Sequence, residues 1–131
     1  MGAWSHESFG NDDAMDWIEE LQAEGLPAAG GALAAIEELT PDYLEAPVCA
    51  AALAAAEVIA ALRGKPALEL PEEITRWVAT NPGDPGGELV DIAKRAVDAI
   101  AARSELKELW EESGDFDEWH ATVNDLRVRL D

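Results

Sequence analysis

Residues 47–63 read Pro-Val-Cys-Ala-Ala-Ala-Leu-Ala-Ala-Ala-Glu-Val-Ile-Ala-Ala-Leu-Arg, and this stretch decides the fold that the sequence predicts. Pro47 suits the first turn of a helix, where its missing N–H has no partner to lose. Gly64 suits the left-handed residue just past the end of a helix. Between these ends, Glu57 is the one charged residue before Arg63. A helix that is apolar on nearly every side is usually buried, so we expect this alanine-rich helix at the centre of the protein.

Amphipathic segments on both sides of this stretch predict further helices. Their apolar residues recur at three- and four-residue intervals, which is the period of a helix with one buried face. No segment shows the sustained alternation of a β-strand. We therefore expect an all-α fold, a single compact domain over residues 1–131 with five to seven mostly antiparallel helices around the central one. The predicted segments are a helix from the cap Asn11 to Gly25, Leu26–Leu39, Pro71–Val78, a helix capped by Asp84 with Pro85 first, Glu105–Glu112 capped by Ser104 with Leu109 inward, and a last helix capped by Asp115.

The last of these helices carries a narrow apolar seam. Its members are spaced three, four, three and four residues apart, as in paired helices. The seam indicates core packing first and a homodimer contact as the alternative, so the protein is expected to be a monomer or a homodimer through the last helix. The seam residues are Phe116, Trp119, Val123, Leu126 and Leu130.

The charge of the chain limits its partners. It has 28 acidic residues against nine basic ones, a formal net charge of −19. Nucleic acid and anionic membranes would be repelled, so neither is an expected partner. Solubility, adaptation to high salt and recruitment of a basic protein partner all remain open, and the spread of acids over every segment favours solubility.

Two further features bear on the compartment. No apolar run is long enough to cross a bilayer, and the opening residues lack the basic and apolar regions of a secretory signal. Cys49 is the single cysteine, which excludes an internal disulfide and is typical of a small buried thiol. We expect a cytoplasmic protein.

Residues 2–17, Gly-Ala-Trp-Ser-His-Glu-Ser-Phe-Gly-Asn-Asp-Asp-Ala-Met-Asp-Trp, resemble the opening of a bacterial family. That family typically begins Gly-Ala-Trp-Gly, continues with Phe-x-Asn-Asp and then with Ala-x-Asp-Trp, and is known as domain of unknown function family 4259. Residues 42–47, 55–60, 104–106 and 109–110 are similar to it as well, whereas Ser5 stands where the family usually has glycine. The resemblance covers most of the chain and implies no activity, cofactor or catalytic residue.

The opening motif itself predicts a structural role for its aromatic residues. Trp4 and Phe9 would bracket a loop that folds back onto Trp17, while Asn11 caps the following helix. Residues 1–10 are therefore expected to form an ordered segment docked on the body of the protein. The alternative is a metal or acid–base site made by neighbouring polar residues, since carboxylates coordinate hard cations. Its members would be His6, Glu7, Asp12, Asp13 and Asp16.

Glu57 is the other residue with two possible interpretations. Either its side of the central helix faces solvent, or another helix covers it and the carboxylate is buried. A buried carboxylate needs a partner such as an arginine or a tryptophan N–H. The sequence leaves both open.

These observations favour a non-enzymatic protein-binding or regulatory module with a possible basic partner. The alternative is a carboxylate-based metal-dependent hydrolase with its site near the N-terminal motif. We assign no catalytic residue, no cofactor and no metal ligand from the sequence. The candidate functional surface comprises Trp4, His6, Phe9, Asn11, Asp12, Asp16, Trp17 and Glu57.

Overall fold

A computed structural model describes residues 8–39, 43–68 and 70–131 of the chain. Within these ranges the protein forms seven α-helices and no β-strand, which confirms the predicted all-α fold. None of these helices is long and apolar enough to span a bilayer. The helices are α1 (Asp12–Glu24), α2 (Leu26–Leu39), α3 (Ala46–Leu62), α4 (Glu72–Thr80), α5 (Gly87–Ala102), α6 (Glu105–Ser113) and α7 (Phe116–Leu130).

The alanine-rich helix α3 lies at the centre of the protein, as the sequence predicts. It contacts each of the other six helices. Five of its alanines are completely buried: Ala52, Ala54, Ala55, Ala56 and Ala60. Because alanine has the smallest apolar side chain, it lets the backbones of neighbouring helices approach closely. The alanine content of α3 therefore allows the other helices to pack closely around it.

Most of the predicted helix ends are confirmed. The Asn11 Oδ1 atom accepts the N–H of Ala14 at 2.7 Å, and the Ser104 Oγ atom accepts the N–H of Lys107 at 3.0 Å. These side chains satisfy N–H groups that have no partner inside the helix. At the other end of α6, Gly114 adopts a φ of 90°, which glycine reaches without a steric cost.

The start of α5 differs from the prediction. Asp84 does not cap this helix, and Pro85 is not its first residue, because α5 begins at Gly87. The Asp84 carboxylate instead accepts the N–H of Gly86 at 2.8 Å within a turn. Gly86 has a φ of 97°, which is incompatible with a right-handed helix and delays its start.

Two other sequence predictions are corrected in detail. Asp115 occupies the N-cap position of α7, but its side chain makes no capping hydrogen bond. Leu109 was expected to face inward and is instead 48% exposed. The buried Leu106 and the half-buried Trp110, four residues apart on one face, make the apolar contact of α6 and leave Leu109 beside it.

The seam of α7 packs in the core. Trp119, Val123, Leu126 and Leu130 are buried, and Phe116 is half-buried. Since these side chains are already covered within one chain, a homodimer through α7 would have to use another face of that helix. Such a dimer stays a prediction.

Candidate functional site

Glu57 is buried in the middle of α3, with 2% of its surface exposed. The hydroxyl of Ser8 donates a hydrogen bond to the Oε2 atom at 2.8 Å. Arg129 of α7 donates from Nη1 to Oε1 at 2.9 Å and from Nη2 to Oε2 at 3.3 Å. Of the two possibilities that the sequence leaves open, the structure therefore shows the buried carboxylate with an arginine partner.

Arg129 connects this carboxylate to two other parts of the fold. Its Nε atom donates to Asp125 Oδ2 at 2.8 Å, and Nη1 also donates to the backbone carbonyl of Lys65 at 3.1 Å. Burial opposes the charge of the guanidinium, but the hydrogen bonds that it donates to Glu57 and Asp125, together with the attraction of their negative charges, outweigh burial and raise the pKa of Arg129. Arg129 thus holds α3, α7 and the connector after α3 together.

An open groove of about 440 Å³ lies beside this ion pair, and we call it the Ser8 groove. It is formed by the segment before α1, the connector after α3 and one face of α7. At its edge, the side chain of Leu68 is fully exposed, with a relative accessibility of 104%. The lining residues are Ser8, Phe9, Glu57, Ala67, Leu68, Glu118, Ala121, Thr122, Asp125 and Arg129.

The Ser8 groove combines apolar side chains with a negative charge. Its lining residues include three carboxylates, those of Glu57, Glu118 and Asp125, and one guanidinium, that of Arg129, which leaves two net negative charges. Both oxygens of Glu57 accept hydrogen bonds from Arg129 or Ser8. The carboxylate is therefore compensated by an arginine and a hydroxyl, as a buried charge requires.

The structure brings together some of the predicted surface residues and separates others. Phe9 and Glu57 line the same groove. Trp17 is buried in the core and Asn11 caps α1, whereas Asp12 and Asp16 are exposed on α1 and do not line the groove.

The last three residues of the segment before α1 belong to the described part of the chain. Ser8, Phe9 and Gly10 are buried, and the docking of residues 1–10 as a whole stays a prediction. Trp4 and His6 lie outside the described residues, as does Glu7, so the contact of Trp4 with Phe9 and Trp17 stays a prediction. In the described part of the chain, no three His, Cys, Asp or Glu side chains are grouped so that they could hold a metal ion.

Sequence reasoning missed several residues of the groove. Ser8 belongs to the opening motif, but a serine beside aromatic residues gives no sign that it pairs with a buried carboxylate. The chain has nine basic residues, and periodicity alone does not indicate that Arg129 is the one that the fold brings to Glu57. Leu68 lies in a connector, where no helical period indicates which side chains are exposed.

Comparison with known proteins identifies a family. A family model described as "Domain of unknown function (DUF4259)" matches residues 2–122, which agrees with the resemblance of the opening motif. The match includes most of the Ser8 groove, while Asp125 and Arg129 lie beyond it. No curated protein and no solved structure matches the chain.

Proposed function

The chain belongs to the DUF4259 family, a domain of unknown function, and from this premise we propose that it is a non-enzymatic protein-binding module whose contact surface is the Ser8 groove. The observation that carries the proposal is the fully exposed Leu68 at the edge of an open groove that also contains apolar side chains. A docking protein would bury this apolar side chain together with those in the groove, while the charged residues of the groove would form a polar rim around the contact.

The ion pair between Glu57 and Arg129 holds the groove in one shape, and this also favours binding. Glu57 and Arg129 come from two different helices and fix their relative position through a pair of hydrogen bonds. A surface held in one geometry before binding loses less conformational entropy when a partner docks. The ion pair then acts as a scaffold for the contact surface.

The alternative function, a carboxylate-based metal-dependent hydrolase near the N-terminal motif, draws no support from the described residues. Asp12 and Asp16 are exposed on α1 and form no cluster with His120. Glu57 is paired with Arg129 and Ser8 in a buried position and belongs to no metal-binding cluster of the described residues. We further propose a cytoplasmic setting in a bacterial cell, which the free thiol of Cys49 supports, because secreted domains of this size often depend on disulfides.

The proposal is tested by photo-crosslinking in cells that naturally carry the gene. A benzophenone amino acid replaces Leu68 or Ala121 in the groove, and Leu109 or Val128 serves as the control, since both are exposed apolar residues outside it. We expect crosslinkers at the two groove positions to capture the same protein. The two control positions should not capture that protein and should not share a product with each other. Absence of a crosslinked protein at Leu68 and Ala121, or the same products at Leu109, would overturn the proposal.

A further inference from the structure

A second groove, of about 230 Å³, is also lined by Leu68. We call it the Thr75 groove, because Thr75 of α4 lines it together with Leu70 and Val78. Ala67 and Leu68 line both grooves. The two grooves therefore adjoin at Leu68, which is fully exposed, and we call this shared boundary the Leu68 ridge.

The two grooves differ in charge. Of the described residues that line the Thr75 groove, none carries a charge. The Ser8 groove carries two net negative charges, with Glu118 and Asp125 both exposed. Arg129 does not offer a free cation there, because it is bonded to Glu57 and Asp125. A ligand that fills both grooves would place apolar groups around Leu68 and a cation beside the two exposed carboxylates.

The charge of the whole protein decides what kind of ligand this is. A second copy of the chain would also carry −19, so two copies approaching through an acidic groove would repel each other. Nucleic acid and anionic bilayers are disfavoured for the same reason. A basic protein segment is attracted both by the overall field and by the local carboxylates.

We infer that the Leu68 ridge and its two grooves bind a segment of another protein in which aliphatic or aromatic side chains lie next to Lys or Arg. This inference rests on the proposed function and specifies the partner of the same site. The apolar side chains of the partner pack on both sides of Leu68 and into the Thr75 groove. Its cation pairs with Glu118 and Asp125 at the rim of the Ser8 groove.

The inference is tested by NMR titration of the full chain with three short synthetic peptides. The first alternates leucine and lysine pairs, the second has glutamate in place of lysine, and the third has serine in place of leucine. We expect the Leu/Lys peptide to bind about tenfold more tightly than either of the others, because it alone supplies both kinds of contact. Its resonance shifts should map to Leu68, Val78 and Ala121, which lie in or between the two grooves.

Matched variants separate a local site from general charge attraction. Glu118→Lys, in the groove, should weaken the Leu/Lys peptide about tenfold. Glu112→Lys makes the same change in net charge at an exposed position on α6 outside the grooves and should have little effect. Leu68→Ser should weaken the peptide without unfolding the protein, because the leucine is fully exposed. Equal weakening by the two charge variants would overturn the inference.

The remaining outcomes distinguish this inference from the proposed function. If the Leu/Glu or Ser/Lys peptide shifts the same groove resonances with equal affinity, the grooves bind protein but the partner chemistry is wrong. If no peptide perturbs the grooves and crosslinking at Leu68 is also empty, both proposals fail. A dimer in sedimentation that Leu68→Ser dissociates would show that a second copy is the occupant and would overturn the inference.

Discussion

Arg129, near the end of α7, donates two hydrogen bonds to Glu57 in the centre of α3, a residue 72 positions earlier in the chain. The carboxylate is 2% exposed and the arginine side chain 14% exposed. The pair therefore fixes the last helix against the most buried one. It also lies under the Ser8 groove, so the stability of the fold and the shape of the proposed contact surface depend on the same contact.

Removal of Arg129 should destabilise the protein strongly. Arg129→Met leaves Glu57 buried without its cation, and we expect the free energy of unfolding to fall by about 3 kcal/mol. The double variant Glu57→Leu, Arg129→Met replaces both charges by apolar groups and should recover most of that loss, since a buried ion pair is often no more stabilising than apolar packing. Urea denaturation of the wild type, the single variant and the double variant measures these free energies of unfolding.

An exposed ion pair provides the control. Arg76 and Glu72 are bonded at 2.6 Å, but their side chains are 64% and 82% exposed. Arg76→Met should change the free energy of unfolding by less than about 1 kcal/mol. If Arg129→Met were as mild as Arg76→Met, the buried pair would not have the structural role assigned to it here.

The close packing of α3 gives a second prediction. Ala55 is completely buried, and its helix contacts all six others, so Ala55→Leu forces extra volume into a filled space. We expect a loss of about 2 kcal/mol in the free energy of unfolding. Ala79→Leu on α4 adds the same side chain at an exposed helical position and should be close to neutral. Similar unfolding curves for the two variants would contradict the packing described for α3.

Composition and helical period were sufficient to predict most of this fold. An apolar stretch that contains one carboxylate can remove its apolar surface from water only in the interior of the protein. This is why the sequence predicts the central position of α3 correctly. Asn11 and Ser104 are predictable as caps because their short polar side chains form hydrogen bonds with nearby backbone groups and therefore favour the position before a helix. Asp84 was not distinguishable from them by residue type. It forms a turn because the conformation of Gly86 postpones the helix, and a glycine in a sequence does not reveal its φ.

The candidate site was much harder to predict. The sequence indicated that Glu57, if buried, needs a partner, but Arg129 comes close only through the packing of α7 on α3. The groove is made by three segments that are distant in the chain, and one of them is a connector without a helical period. Such a surface depends on tertiary structure, so local sequence patterns do not predict it.

Cys49 provides the third prediction, which concerns pH. Its thiol is buried and lies 3.7 Å from the carbonyl oxygen of Leu44. Burial raises its pKa from 9.0 to about 12. In the unfolded chain the thiol ionises near its ordinary pKa, while in the folded protein it stays neutral. Its contribution to stability is therefore complete below about pH 9 and is lost progressively as the pH rises toward 12.

Comparison of the wild type with Cys49→Ala isolates this effect from every other titrating group. Between about pH 8 and about pH 10.5 the free energy of unfolding of the wild type should fall by about 2 kcal/mol more than that of the variant. Urea denaturation at the two pH values measures the difference. As an independent readout, the native thiol should react with a disulfide reagent at about pH 8 at least a hundredfold more slowly than the urea-unfolded chain. An exposed cysteine introduced by Ala121→Cys in the Cys49→Ala background is the reactive control. Parallel pH dependence of the two proteins, together with rapid labelling of native Cys49, would show that the thiol ionises in the folded state and is not held neutral by burial.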